Sequence, residues 1–178
     1  MCTSKKWQLF GFLVLTVLGL DQATKLYVHT TFALHESRPV IDNLFALTYV
    51  RNAGAAFGML AQQSETFLRL FFPAVTVLAL VGLLTYFVRV PSQYVLRLWG
   101  LCLIISGALG NGLDRLWLGQ VIDFIDVHWY AYHWPAFNVA DSSICIGVGL
   151  LLLDSFRAVR GIRVTAYDAS ALSVYGSS

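Results

Sequence analysis

Two aspartates eighteen residues apart, Asp123 and Asp141, stand in a chain otherwise composed for lipid. The first follows Gly119-Gln-Val-Ile; the second closes Phe137-Asn138-Val-Ala140-Asp141, where an apolar run begins. Acidic groups at a membrane margin cost free energy and so call for an explanation. Two carboxylates sharing one proton can hydrolyse an amide without a metal. The charged member deprotonates a water and the protonated member polarises the carbonyl. A plainer role also exists for each: Asp141 suits the positive N-terminal end of a helix, and Asp123 could be a loop carboxylate.

Other polar residues gather near this pair. Asp21 and Lys25 are spaced i,i+4 and can neutralise one another on one helix face. Asn111 and Arg115 share a face by the same spacing, and Asn138 and Asp141 by i,i+3. Asp114 points elsewhere on its helix and reads as structural support. Arg115 suits either substrate carbonyls or an ion pair with a carboxylate such as Asp114.

The elements that must position these groups are membrane spans. The chain is 57% hydrophobic and only 12% charged, about half the charged share of soluble domains. Apolar runs predict spans at about 7–28, 67–88, 96–113 and 139–159, each long enough for a hydrocarbon core of about 30 Å. Pro73 falls early in the second and could kink it. The N-terminus resembles a secretory signal but lacks a small-x-small cleavage site before Asp21, so it is read as an uncleaved first span. Four spans put both termini on one side, with Lys5, Lys6, Arg89, Arg97, Arg157, Arg160 and Arg163. Lys25, Arg38, Arg51, Arg69 and Arg115 fall opposite, in longer loops. This asymmetry predicts cytoplasmic termini. All the polar residues above then lie at one depth, on the extracytoplasmic side.

Between the spans, Phe45–Arg51 and Val121–Val127 suit strands of a small outer sheet. Asn52-Ala-Gly54-Ala-Ala-Phe57-Gly58 supplies glycines where backbone must bend or approach closely, and 59–66 suits a short interfacial helix. Residues 1–163 form one membrane domain, and 164–178 a small, polar, loosely ordered cytoplasmic tail. Three scattered cysteines, Cys2, Cys102 and Cys145, make no disulfide framework, and Cys2 resembles no lipid attachment site. A net charge of +2 without a basic cluster argues against a nucleic-acid partner.

Five segments in order resemble the lipoprotein signal peptidases (signal peptidase II) of bacteria: Asp21-Gln-Ala-Thr-Lys25, Asn52-Ala-Gly54-Ala-Ala-Phe57, Gly110-Asn111-Gly-Leu-Asp114-Arg115, Gly119-Gln-Val-Ile-Asp123-Phe124 and Phe137-Asn138-Val-Ala140-Asp141. The resemblance spans nearly the whole membrane domain. It implies an all-α membrane fold of four helices with a small β-sheet, and an aspartyl endopeptidase of the inner membrane; one chain suffices for the site, so a monomer is expected. Asp123 and Asp141 would be its catalytic dyad; Asn52, Gly54, Asn111, Asp114, Arg115, Asn138, Ala140, Asp21 and Lys25 would line or support the site. The implied substrate is a prolipoprotein whose cysteine already carries diacylglycerol, presented from membrane lipid and cut just before that cysteine. Globomycin-type inhibition is also implied.

His128 and His133 with Asp123 and Asp126 offer zinc-ligand chemistry. They sit in an aromatic loop, Val127-His-Trp-Tyr-Ala-Tyr-His-Trp134-Pro, for which a membrane-interface belt is the better account. No metal or cofactor is expected. The chief rival function is a small proton-coupled transporter with Asp21, Asp114 and Asp141 as a relay. Nothing charged marks the middle of spans two to four, as a relay would need. A non-catalytic assembly factor is the second rival.

Overall fold

The computed structural model describes residues 3–54, 60 and 62–175, with side chains from Ser4 to Arg157 within that set. In chain order the elements are α1 (Thr3–Thr31), β1 (Ser37–Ile41), β2 (Phe45–Asn52), α2 (Glu65–Arg89), α3 (Val95–Leu118), β3 (Val121–Trp129), β4 (Tyr132–His133) and α4 (Val139–Tyr175). Ser4–Thr31, Glu65–Arg89, Val95–Leu118 and Val139–Arg157 are long and apolar enough to cross a membrane. Leu15, Leu70, Leu78 and Leu116 are each at least 70% exposed, as lipid-facing side chains are and core side chains are not.

Helix α3 is the axis: it packs against α1, α2 and α4 and carries the richest run of buried residues. On α1 the buried positions Val14, Asp21, Lys25 and Val28 recur at helical spacing and, continued by Phe32 just past the helix end, form one inward stripe. That stripe passes through three layers. Leu13 and Val14 join Phe87, Val90, Leu98, Leu101, Cys102 and Ile105 in one apolar core. Val28 and Phe32 join Tyr49, Ile122 and Phe124 in another, beneath the sheet. The polar layer lies between them.

The sheet is antiparallel, in the order β1-β2-β3-β4. One extra residue in β2 shifts its register against β3 between Leu47–Ile125 and Val50–Asp123, which re-aims the side chains beyond it. Residues 121–124 are all buried rather than alternating. Ile122 and Phe124 pack into the core beneath the sheet, while Asp123, on the alternate face, is held by Asn52 and Asn138. Covered on both sides, the strand loses the period-2 pattern.

Helix ends follow local chemistry. Ser64 caps α2, its hydroxyl accepting from the Phe67 amide at 3.3 Å. Lys6 closes the other end of α2, donating to the carbonyls of Val88 and Val90 at 3.1 and 2.7 Å. Helix α3 stops at Gly119, whose φ of 74° is left-handed backbone that suits glycine. Pro73 lies inside α2, which continues through it.

Several expectations change. The strands β1 and β4 were not anticipated. Helix α4 runs on to Tyr175 where a loosely ordered tail was expected; Ala166, Ala169 and Ala171 favour helix there and no proline interrupts it. Of the interfacial helix expected over 59–66, residues 59 and 61 lie outside the described set; Leu60 and Gln62 are in turns, and Glu65 already begins α2. Cys2 and residues 55–58 also lie outside it.

Candidate active site

The groups of the polar layer are supplied by α1, α3 and the start of α4, and by the strands β2 and β3. Asn138 immediately precedes α4, and its side-chain oxygen accepts the Asp141 amide at 2.9 Å. Asp141 Oδ2 accepts the Asn138 amide in return, at 3.1 Å. This is a reciprocal capping box with aspartate in the usual glutamate position. The i,i+3 spacing therefore reports a helix start as well as a shared face.

The same asparagine reaches the other carboxylate. Asn138 Nδ2 donates to Asp123 Oδ1 at 2.7 Å, with Asn111 Oδ1 and the Ile122 carbonyl each at 3.2 Å. Asn52, the last residue of β2, donates to Asp123 Oδ2 at 3.2 Å while its own oxygen accepts the Gly54 amide at 3.0 Å. Asn111 closes the ring by donating to Asp141 Oδ1 at 2.7 Å. One asparagine thus joins both carboxylates, and two more fix their outer oxygens.

Asp123 is buried, and that burial pushes its carboxyl up to about 7, with the charge on Asp141 adding to the rise and the Asn52 and Asn138 bonds opposing it. Burial penalises the charged form, and a like charge nearby does the same.

Beneath the pair sits Lys25, whose three donors are all used. They contact Asp21 Oδ2 at 2.9 Å, Asp114 Oδ2 at 3.0 Å and Asn111 Oδ1 at 2.9 Å. Lys25, Asp21 and Asp114 are all essentially inaccessible, so the pairing is what makes their burial tolerable. Asp21 also accepts the Ala140 amide at 2.8 Å, filling one of the unpaired N–H groups at the start of α4. Asp114 accepts the Ile122 amide at 3.1 Å and so ties α3 to β3. Gly110 is required here, because a Cβ at that position would overlap the Asp21 carboxylate.

Sequence reasoning placed Asp21, Lys25, Asn52, Asn111, Asp114, Asn138, Ala140 and Asp141 around Asp123, and the fold brings them together. The ion pair expected for Asp21 and Lys25 is larger than anticipated, since Asp114 joins it. Arg115 makes no ion pair with Asp114 among the described residues; its Nη2 donates to the Gly54 carbonyl at 3.2 Å and its guanidinium lies 4.4 Å from the centre of the Phe72 ring. Its Nε is buried with no hydrogen-bond partner among the described residues. Gln22 was missed. Its amide donates to Asp21, Asp114 and the Gly110 carbonyl at 3.1–3.2 Å. The only signal was its place between Asp21 and Lys25.

These features define a class: a multi-pass membrane protein of four helices, with a polar centre at one end of the bundle under a small sheet. Two solved bacterial membrane enzymes have this fold. One superposes with a TM-score of 0.73 at 33% identity, covering 88% of this chain and 90% of its own; the other gives 0.68 at 34% identity, covering 85% and 92%.

Residues 13–157 match the family model of signal peptidase (SPase) II. The lipoprotein signal peptidase of Geobacter sulfurreducens is 52% identical over 155 residues, covering 86% of this chain and 95% of its own length. That of Geobacter metallireducens is 47% identical over 154 residues, covering 86% and 94%. The chain belongs to the signal peptidase II family and is a peptidase.

Proposed function

We propose that this peptidase removes the signal peptide from diacylglyceryl-modified prolipoproteins, cutting just before the lipidated cysteine, with Asp123 and Asp141 as a catalytic aspartate dyad. The relatives named above are lipoprotein signal peptidases, which supports the substrate class. The observation that carries the dyad is the bonding of both carboxylates to the single residue Asn138.

The two acids differ in setting, as the two roles require. Asp123 is buried on a strand and keeps its proton to about 7, so it is the member that polarises the scissile carbonyl. Asp141 lies in the first turn of α4, where unpaired amides favour a negative partner. It takes the proton of the attacking water. The roles then exchange as the leaving amine is protonated. Asn52, Asn111 and Asn138 orient the pair, and Arg115 with the Gly54 carbonyl borders the substrate backbone. The Asp21–Lys25–Asp114 network supports this layer from beneath.

The chain resides in the inner membrane with cytoplasmic termini and an extracytoplasmic site, acting as a monomer. Substrate enters sideways from the lipid, its acyl chains remaining in the bilayer, and globomycin-type compounds act at the same site. A transmembrane proton relay through Asp21, Asp114 and Asp141 finds no support, because Lys25 locks the first two together at one end of the bundle.

The test is cleavage of a diacylated precursor peptide by the purified protein. Asp123→Asn and Asp141→Asn should each lower kcat by about a thousandfold or more, while a chelator leaves the wild type active. Robust turnover by both variants would remove the dyad mechanism.

A further inference from the structure

The β3–β4 hairpin holds a second cluster of chemically capable side chains, apart from the carboxylate pair. Asp126 and His128 are two residues apart on β3 and so project from one face. His133 on β4 is the cross-strand partner of His128. His133 Nδ1 lies 2.9 Å from Asp126 Oδ1 and 3.0 Å from Oδ2, and His128 Nδ1 lies 3.7 Å from Oδ2. The two imidazole rings stack with centroids 4.6 Å apart and planes 19° from parallel. One ligand atom from each residue falls within 4.8 Å of the other two. Asp123, grouped with these residues on sequence grounds, is not among them.

The spacing suits a metal ion. Zinc with bonds of about 2.0–2.2 Å to nitrogen and oxygen holds tetrahedral ligand atoms about 3.4 Å apart, so small rotations of the side chains would close the site. Two imidazoles and one carboxylate favour a borderline ion over magnesium or calcium, which prefer all-oxygen shells. A second observation points the same way. His128 Nδ1 is buried without a hydrogen-bond partner among the described residues, an arrangement that costs free energy unless something binds there. The hairpin also has a use for a clip, because β4 is only two residues long and so short a pairing is weak.

We propose that Asp126, His128 and His133 form a site for a divalent transition-metal ion of the zinc class, fastening β4 to β3. The ion has no part in peptide cleavage. It orders the exposed aromatic turn of Trp129, Tyr130 and Tyr132, which the sequence places at the membrane interface. Aromatic anchoring and ligation therefore coexist on one hairpin.

The experiment is a titration of the full-length, tag-free, chelator-washed protein in detergent with Zn2+ by calorimetry and with Co2+ by visible absorption. One equivalent should bind, and Co2+ should develop the bands of a low-symmetry site. Excess Mg2+ should not displace either ion. His128→Ala and His133→Ala should each weaken binding at least tenfold, as should Asp126→Asn, which preserves side-chain shape if the histidine variants fail to fold. Hydrogen exchange over residues 127–134 should slow when Zn2+ is added to the wild type. The proposal is overturned by a wild-type protein that gives no Co2+ spectrum, or by equal Zn2+ affinity in the wild type and in Asp126→Asn. Loss of peptidase activity on chelation would instead contradict the metal-free dyad, so the two outcomes are distinguishable.

Discussion

Asp123 carries the most informative electrostatics in the chain. An ordinary aspartate titrates near 3.8, and this one is raised to about 7 by burial and by Asp141. If its proton is needed for cleavage, kcat/KM should fall as pH rises through about 7, and a pH–rate profile on the diacylated peptide checks this. The same shift affects stability, with a fixed sign. Between the two values the folded state holds a proton that the unfolded chain has released. The contribution is complete below the unfolded value and is lost as pH rises through about 7. Asp123→Asn should flatten that part of the pH dependence, so thermal melts at about pH 5 and about pH 8 should differ less than in the wild type. An unaltered difference would show that Asp123 is not the titrating group.

At the scale of elements, the site depends on how closely α1, α3 and α4 approach. Gly110 faces the Asp21 carboxylate with no room for a methyl group. Gly110→Ala should displace Asp21 from Lys25 and from the Ala140 amide, at the roughly 1–3 kcal/mol typical of overpacking. Gly82 on α2 has open space around its Cα, and Gly82→Ala should be neutral or slightly stabilising because alanine favours helix. Paired unfolding measurements in one detergent test the contrast, and equal loss in both variants would refute it. Much at this scale was legible beforehand. The apolar run lengths marked all four spans, because a bilayer imposes length on any helix that crosses it. Strand β1 was not legible: Pro39 within Ser37-Arg-Pro-Val-Ile, five exposed residues, speaks against a strand unless it is an edge. Asp126, His128 and His133 were weighed as metal ligands on sequence grounds and set aside for an aromatic belt, because their proximity depends on a β3–β4 register that no local signal sets.

For the whole molecule, two apolar cores enclose a polar layer, and that order follows from the stripe on α1. Motif order located this layer, whereas its bonding was invisible in the sequence because it joins residues far apart in the chain. Asp21 and Ala140 are separated by 119 positions. Topology is testable at this scale too. A cysteine placed at Arg38, in the loop carrying the sheet, should react with an impermeant thiol reagent in intact cells, after Cys2 and Cys145 are replaced. One placed at Gln93, between α2 and α3, should react only after the membrane is opened. The reverse pattern would invert the orientation drawn from the basic residues.

The bond from Asp21 to the Ala140 amide bears on biosynthesis. The first helix emerges from the ribosome long before the segment whose amide it must hold, so a partly made chain contains Lys25, Asn111 and Asp123 but lacks the partner that completes them. The proposed pair of Asp123 and Asp141 is therefore incomplete until the final helix has been inserted.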